Sequence, residues 1–457
     1  MPCSFIPPYL LRRLAHTTVQ GSASTNGEHT LALDRVLRSR REDPSPAQTR
    51  VAVDSPTTIR LVHTADNTET LPGDLVRTDG DPPTGDPAVD EAFDSSGQVL
   101  DLFEIEFGRR SMDGRGGPVS ITVHFGRDYD NAFWDGTQLV FGDGDGVIFD
   151  RFTKPMDVMA HEFTHGVTQF SAGLAYVDQP GALNESVSDV FAAMTKQRSQ
   201  SQTAEQANWL IGEGLFRPAV NGRALRSMLE PGTAYDDPRI GRDPQVGRMA
   251  DYVRTTDDNG GVHINSGIPN RAFALAALDL GGFTWERTGR VWYDALTAGE
   301  VPAQSDFATF ARATLSSAAR VFPADPEVAR RIEAAWRTVG VLEDAAVTGD
   351  GRTDQDTVRG EPRPATVAVR RSGGFAGIVR TGELDLDADP EGPEVRMLLS
   401  RLQVESIQAR PAVPDAFVYD VRYGGWQLRV PEPDLTPELR RVVSIVLSRD
   451  QPRGLDL

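Results

Sequence analysis

Two short stretches carry the chemistry of this chain. The first, Asp157-Val158-Met159-Ala160-His161-Glu162-Phe163-Thr164-His165-Gly166-Val167, contains His-Glu-x-x-His. On an α-helix, residues four apart share a face, so His161 and His165 can each turn an imidazole nitrogen toward one metal ion. Glu162 stands one step round the helix, where its carboxylate can take a proton from water beside that ion. A zinc hydrolase needs three protein ligands and an open fourth position. The second stretch, Gly181-Ala182-Leu183-Asn184-Glu185-Ser186-Val187-Ser188-Asp189, offers Glu185 as the third ligand. Asp189, four residues on, shares its face and is placed to accept the other ring N–H of a ligating histidine. Metal-assisted hydrolysis is the expected chemistry. Two other readings use the same residues: a protein that binds peptides without cutting them, and a zinc-stabilised structural protein. An intact Glu162 argues against the first, and the lack of an evident fourth protein ligand against the second.

Helices must hold both stretches, and apolar Val158, Met159, Phe163 and Val167 suit the first to a buried one. Upstream, residues 60–150 read as strand-rich. Val119 to Phe125 alternates, and Gln138-Leu139-Val140-Phe141 ends at a Gly-Asp turn, while Val89 to Phe107 interrupts with a helical pattern. Gly142 to Gly146 lacks the Lys-Ser/Thr of a phosphate loop and reads as a tight turn. From Asp157 to about Val341 helices are expected to dominate, with clear periodicity at Pro269 to Gly281, Glu286 to Ala298, Asp306 to Phe322 and Pro326 to Val339. The expected fold class is α+β: a β-rich lobe over 51–160, a helical lobe over 161–342, and a substrate cleft between them at the metal helix. Residues 343–365, rich in Asp, Gly, Thr, Arg and Pro, read as a linker. Residues 366–449 read as a small α+β unit, with strands at Thr366 to Val369 and Phe417 to Val421 and helices at Glu394 to Leu402 and Pro437 to Leu447. It contains no histidine or cysteine and no catalytic constellation.

A chain of 457 residues exceeds one hydrophobic core. Its net charge of −19 disfavours nucleic acid and anionic membranes as partners. No apolar run approaches a membrane span. The single cysteine, Cys3, excludes an intrachain disulfide framework. Met1 to Arg13 lacks the basic and apolar regions of a Sec-type leader, so secretion by another route is expected, with a cytoplasmic location as the alternative. The first 50 residues carry seven arginines against four carboxylates. A basic segment on an acidic body is expected to dock in cis.

These motifs resemble the thermolysin family of zinc metallopeptidases, in which His₂Glu is the known ligand set. The likeness rests on His161-Glu162-Phe163-Thr164-His165 with Asn184-Glu185-x-x-x-Asp189. It extends through Asn131-Ala132-Phe133-Trp134, Gly142-Asp143-Gly144-Asp145-Gly146, Leu225-Arg226-Ser227-Met228 and the segment from Asp258 to Gly267, over about residues 60–340. By that resemblance His263 and Tyr176 would donate to the developing oxyanion, and Asp258 would orient the His263 ring. Arg226 would hold a substrate carbonyl, and Asn131 and Ala132 would hold an extended peptide at a sheet edge. Phe149, Phe152, Val158, Ile211 and Leu225 would line the pocket after the scissile bond, implying a preference for a bulky apolar residue there. One departure bears on calcium, frequent in the family. Asp157 and Glu213 remain, but Lys196 and Leu210 stand where acidic residues are usual, which puts calcium binding in doubt.

The resemblance also implies regulation. Phe5-Ile6-Pro7-Pro8-Tyr9-Leu10-Leu11 is similar to the opening of the short propeptide in the protealysin-like branch, so residues 1–50 would be an inhibitory, removable prosegment, with self-processing expected between about Pro44 and Val53. The alternative is a disordered tail. Zinc accepts cysteine sulfur readily, so Cys3 is a candidate for the open metal position in the precursor. Arg371-Ser372-Gly373-Gly374-Phe375-Ala376-Gly377 resembles the start of emfourin-type inhibitors, which would give the chain its own inhibitor in cis; a generic α+β appendage is the alternative.

Overall fold

The computed structural model describes residues 3–16, 27–34, 57–342, 366–373, 380–386, 389, 391–400, 417–423 and 426–448. The chain divides into two units, Met1–Val347 and Thr348–Leu457. The expected linker and the expected processing region lie outside the described residues, except that the latter stretch is flanked by the helical residues 27–34 and by Thr57.

In the first unit, β1 (Cys3–Ser4) leads into α1 (Pro8–His16), and residues 27–34 form a further helix, α2. Next come β2 (Arg60–Thr64), β3 (Asp74–Thr78) and α3 (Pro87–Asp101). Asp86 caps α3 by accepting from Ala88 N, and Pro87 takes the first helical position, where no N–H is needed. A π-helical turn, Leu102–Glu106, completes the helical pattern seen in the sequence. Strands β4 (Val119–Val123), β5 (Ala132–Trp134) and β6 (Leu139–Phe141) finish a sheet of order β1-β5-β6-β4-β2-β3. All five residues of β4 are buried, because both faces of the central strand are covered. Residues 142–146 form an irregular loop rather than regular structure, with Asp145 Oδ1 accepting from Val147, Ile148 and Phe149 N.

Helix α4 (Met156–Gln169) carries His161 to His165 and is buried from Asp157 through Thr168. Helix α5 (Asp178–Ser199) carries Glu185 and Asp189 and begins earlier than its site residues alone indicate. Gly181 lets the start of α5 come close to its neighbour: a Cβ there would lie 2.5 Å from Val262 Cγ1. Helices dominate from α4 onward, as expected, and none was singled out between α5 and residue 257. That stretch holds only short ribbons, β7 (Leu210–Ile211) with β8 (Arg226–Ser227) and β9 (Asp236–Asp237) with β10 (Gly241–Arg242), plus one 3₁₀ turn, Met249–Asp251. Its glycines at positive φ, such as Gly212 and Gly241, interrupt any helical run. Helices α6 (Asp258–Asn265), α7 (Gly267–Leu280), α8 (Thr288–Thr297), α9 (Phe307–Val321) and α10 (Pro326–Thr338) then follow, the last four where periodicity indicates them. Trp292 stacks on Trp336 at 5.8 Å, and the buried Trp336 N–H finds Thr314 Oγ1 at 3.0 Å. The result is a β-rich N-terminal part and a helical C-terminal part around one continuous core. No described helix is long and apolar enough to cross a membrane.

The second unit is an antiparallel sheet of order β12-β11-β13-β14, formed by β11 (Thr366–Gly373), β12 (Arg380–Asp385), β13 (Phe417–Tyr423) and β14 (Trp426–Pro431). Helices α11 (Gly392–Ser400) and α12 (Pro437–Ser448) accompany it, and Val367, Val369, Val421, Val442 and Val446 contribute to its own core. Strands β12 and β14 were not anticipated. In β12 only Leu384 is buried, so its sequence shows no apolar alternation.

One interaction ties α4, α5 and the β7 segment together. Lys196 donates to Leu210 O, and its Nζ lies 3.4 Å from Asp157 Oδ2 and 3.7 Å from Glu213 Oε2. Asp157 also accepts from Gly212 N at 3.0 Å. An ammonium thus neutralises the carboxylates that a divalent cation would otherwise bridge. Lys196→Met is expected to lower the melting temperature, with about 3 kcal/mol lost by leaving Asp157 buried without its cation. Calcium at low-millimolar concentration should leave the wild-type melting temperature unchanged; a rise of several degrees on adding it would overturn this account.

Candidate active site

The i, i+4 spacing on α4 brings His161 Nε2 within 3.0 Å of His165 Nε2. From α5, Glu185 Oε2 lies 3.3 Å from His161 Nε2 and Oε1 lies 3.5 Å from His165 Nε2. All three side chains are buried, and their ligand atoms fall within 4.8 Å of one another. The opposite ring nitrogens fix the tautomers. His161 Nδ1 donates to Asp189 Oδ1 at 2.8 Å, and His165 Nδ1 faces Asn184 Oδ1 at 2.8 Å and Ser188 Oγ at 3.1 Å. Asn184 Nδ2 donates to Leu174 O at 3.0 Å, which turns its Oδ1 toward the histidine. Two imidazole lone pairs and a carboxylate therefore converge in a buried pocket, and Glu185 Oε2 has no hydrogen-bond donor among the described residues. That donor set fits zinc. Without a cation the electrostatics are uneven. Burial opposes charge on His161, yet Asp189 and Glu185 outweigh it and lift the imidazole to about 9. Burial holds His165 down to about 3.

Asp189 does more than orient one histidine. Its carboxylate accepts a two-pronged bond from Arg226, Nε to Oδ2 and Nη2 to Oδ1, each 2.8 Å, and a third donor, Asn270 Nδ2, at 2.8 Å. Burial pushes the Asp189 carboxyl up, but Arg226 and His161 bring it down to about 2. Asn184 stood in the motif that carries the resemblance but was given no role, and Asn270 was not singled out. Asn184 precedes Glu185 directly, which was a usable signal; Asn270 is 81 residues from its partner and had none.

Glu162 is fully buried, with no side-chain hydrogen-bond partner among the described residues and the Trp134 backbone N–H nearby. Burial raises its pKa, which makes the carboxylate a stronger proton acceptor than one in water. His263 is set by an unusual turn: Asp258, Asn259, Gly260 and Gly261 all have positive φ. The left-handed run folds Asp258 back so that it accepts from His263 N at 2.9 Å and from His263 Nδ1 at 2.6 Å. Gly260 is required there, since a Cβ would lie 2.1 Å from Asp178 Oδ1. Burial opposes charge on His263, but Asp258 and Glu185 raise its pKa. The Tyr176 hydroxyl donates to Glu185 Oε1 and lies 3.4 Å from His263 Nε2. In this structure it therefore serves a ligand carboxylate while standing beside His263.

The cleft holds the N-terminal segment of the same chain. Strand β1 pairs antiparallel with β5, Cys3 opposite Trp134 and Ser4 opposite Phe133. Phe5 N donates to Ala132 O at 3.0 Å and Ile6 N to Asn131 Oδ1 at 2.8 Å. Arg226 Nη1 donates to Phe5 O at 3.2 Å, and His263 Nε2 donates to Ser4 O at 2.9 Å. The Phe5 ring is 0% exposed, edge-on to His161 at 5.1 Å and under the Arg226 guanidinium at 4.6 Å. It packs against Gly212 in a shared core with Phe149, Phe152, Val158, Ile211 and Leu225. The carbonyl turned to His263 belongs to Ser4; the Cys3 side chain lies outside the described residues. Helix α2 adds a second hold. Asp34 accepts from Tyr129 Oη at 2.6 Å and Asn131 Nδ2 at 3.2 Å, and Thr30 Oγ1 accepts from Asp130 N at 3.2 Å. Nothing in the local pattern around Asp34 and Thr30 pointed to these contacts.

Comparison with known proteins agrees with this geometry. Residues 46–169 match the thermolysin metallopeptidase catalytic domain, residues 172–341 the thermolysin metallopeptidase alpha-helical domain, and residues 369–447 emfourin. An "Extracellular metalloprotease" of Pectobacterium carotovorum subsp. carotovorum is 49% identical over 74% of this chain and 96% of its own length. "Protease PrtS" of Photorhabdus sp. (strain Az29) is 40% identical over 74% of this chain and 91% of its own length. The solved precursor of protealysin, a metalloproteinase from Serratia proteamaculans, superposes with a TM-score of 0.68 at 48% identity, covering 74% of this chain and all of that one. The chain is thus a zinc metalloendopeptidase of the thermolysin family, on its protealysin-like branch, with an emfourin domain after the peptidase.

Proposed function

We propose that the chain is made as a latent precursor whose site hydrolyses peptide bonds preceding a bulky apolar residue. The observation that carries this reading is Phe5: the chain's own extended segment puts a phenylalanine ring in the apolar pocket, one residue after the carbonyl that faces His263. His161, His165 and Glu185 would hold zinc, which would supply Lewis acidity and lower the pKa of a water. Glu162 takes the proton of that water and later delivers it to the leaving nitrogen. His263, oriented by Asp258, donates Nε2–H to the oxygen that becomes negative, and Tyr176 stands by as a second donor. Arg226 holds the carbonyl of the following residue while its fork remains on Asp189. Asn131 and Ala132 bind substrate backbone by strand addition, which selects for extended chains rather than particular side chains. Turnover of a quenched peptide with Phe after the cut bond, abolished by a zinc chelator and restored by zinc, tests the reading; equal turnover with Asp at that position would refute the specificity.

Residues 1–50 are read as the inhibitory prosegment, and the division at 51–160, 161–342, 343–365 and 366–449 as the working domain plan. The emfourin domain is read as an inhibitor acting in cis. A tether of about twenty residues that spans both sites gives roughly millimolar effective concentration, so even a weak contact would be occupied. Secretion is the preferred location, supported by the extracellular activity named for the Pectobacterium relative.

Glu162→Ala should retain zinc and lose activity by about a hundredfold or more, since it removes a base and no ligand. Near wild-type turnover would remove Glu162 from that role. His263→Ala should lower kcat by about a hundredfold with a smaller change in KM. A change confined to KM would assign it to ground-state binding. Truncation before Arg363 should raise the activity of the enzyme freed of residues 1–50, and the separate 363–457 fragment should inhibit it. Unchanged activity with no binding of the fragment would give the domain another role.

A further inference from the structure

We infer that the Ser4–Phe5 peptide bond is itself a cleavage site of this enzyme, cut in cis within the folded precursor. The inference rests on the peptidase reading above. A bound segment can block a cleft by running backwards, by missing a subsite or by presenting no bond at the reacting position. Residues 3–6 do none of these. They run antiparallel to β5, with Phe5 N on Ala132 O and Ile6 N on Asn131 Oδ1. The Ser4 carbonyl takes the His263 donor and the Phe5 carbonyl takes Arg226, so the bond between them is the one bracketed by both polar anchors.

The register is also locked. The Phe5 ring is fully buried against Gly212 and His161, and sliding the strand by one residue would send it to the opposite face of the ribbon. Pro7 and Pro8 have no N–H to continue the ladder, and α1 begins at Pro8, so the strand cannot advance toward its C-terminus. One bond alone can occupy the reacting position. Water adds across it: Glu162 accepts a proton from water, the oxygen joins the Ser4 carbonyl carbon, the C–N bond breaks, and the proton passes to the Phe5 nitrogen. Ser4 leaves as a carboxylate and Phe5 becomes the new N-terminus. Cys3 and Ser4 then keep the short β1 pairing and the His263 contact to Ser4, whereas the segment from Phe5 onward keeps its pocket, Arg226, Asn131 and the Asp34 contacts.

The test uses the full chain loaded with zinc. Intact-mass measurement over time should show loss of residues 1–4 and an N-terminal Phe5, with a first-order rate independent of protein concentration. Full-length Glu162→Ala should keep residues 1–4, even when mixed with wild type. Phe5→Ala should slow the cut by at least about tenfold, and Phe5→Leu should restore it. A second readout needs no catalysis: in zinc-free protein, a chain beginning at Phe5 should exchange the amide hydrogens of residues 132–134 faster than the full chain. If the full chain keeps residues 1–4 while enzyme freed of residues 1–50 cuts a Phe-containing peptide, the cleavage inference fails and the peptidase reading stands. If neither bond is cut, the peptidase reading falls with it. Equal exchange in the two zinc-free chains would show that β1 does not pair with β5.

Discussion

The buried carboxylate of Asp189 is the junction on which the site depends. A fully desolvated charge is tolerable only if its lone pairs are filled, and here His161, both prongs of Arg226 and Asn270 fill them. The consequence is that the tautomer of a metal ligand and the position of a peptide-binding arm are set by one group. A change at Asp189 would disturb metal affinity and substrate binding together, and neither effect could be read as that of a single contact. The same logic recurs on a smaller scale at Asp258, which holds both the backbone and the ring of His263, and at Asn184, which holds His165. His161, His165 and His263 are each held by a partner of their own.

The metal ligands were legible because helical geometry converts a four-residue spacing directly into proximity, and because Glu185 and Asp189 repeat that spacing on the next helix. Helices α7 to α10 were legible for the same reason, their apolar residues recurring at three- and four-residue intervals. What stayed hidden depends on long-range packing. The fork of Arg226 on Asp189 joins residues 37 apart, and the holds of Asp34 on Tyr129 and Asn131 span nearly a hundred. No local pattern encodes them. The stretch between α5 and α6 offered no element to single out, because its apolar residues mark burial without periodicity and its positive-φ glycines make loops. In the second unit, β12 buries one side chain and so lacks the alternation by which a strand is recognised.

Lys196 illustrates how a departure from a family pattern becomes interpretable only with coordinates. From sequence it removes a ligand from a cation site. In the fold it supplies the positive charge itself, between Asp157, Glu213 and Leu210 O. A covalently attached cation cannot be lost by dilution or chelation, so the Lys196 contacts themselves need no ion from the medium. It also has fixed reach and directionality, which a hydrated divalent ion does not.

Strand β1 does more than fill the cleft. It is the terminal strand of the six-stranded sheet, and beneath it β5 would present the unpaired N–H and C=O groups of Ala132 and its neighbours along an apolar cleft. Such an edge accepts any extended chain, which makes it useful for a peptidase and hazardous for a newly made protein: it is also a template for intermolecular pairing and aggregation. While β1 is in place the edge is satisfied by two residues of the same polypeptide. A form of the chain without β1 would expose that edge to any extended chain, copies of itself included.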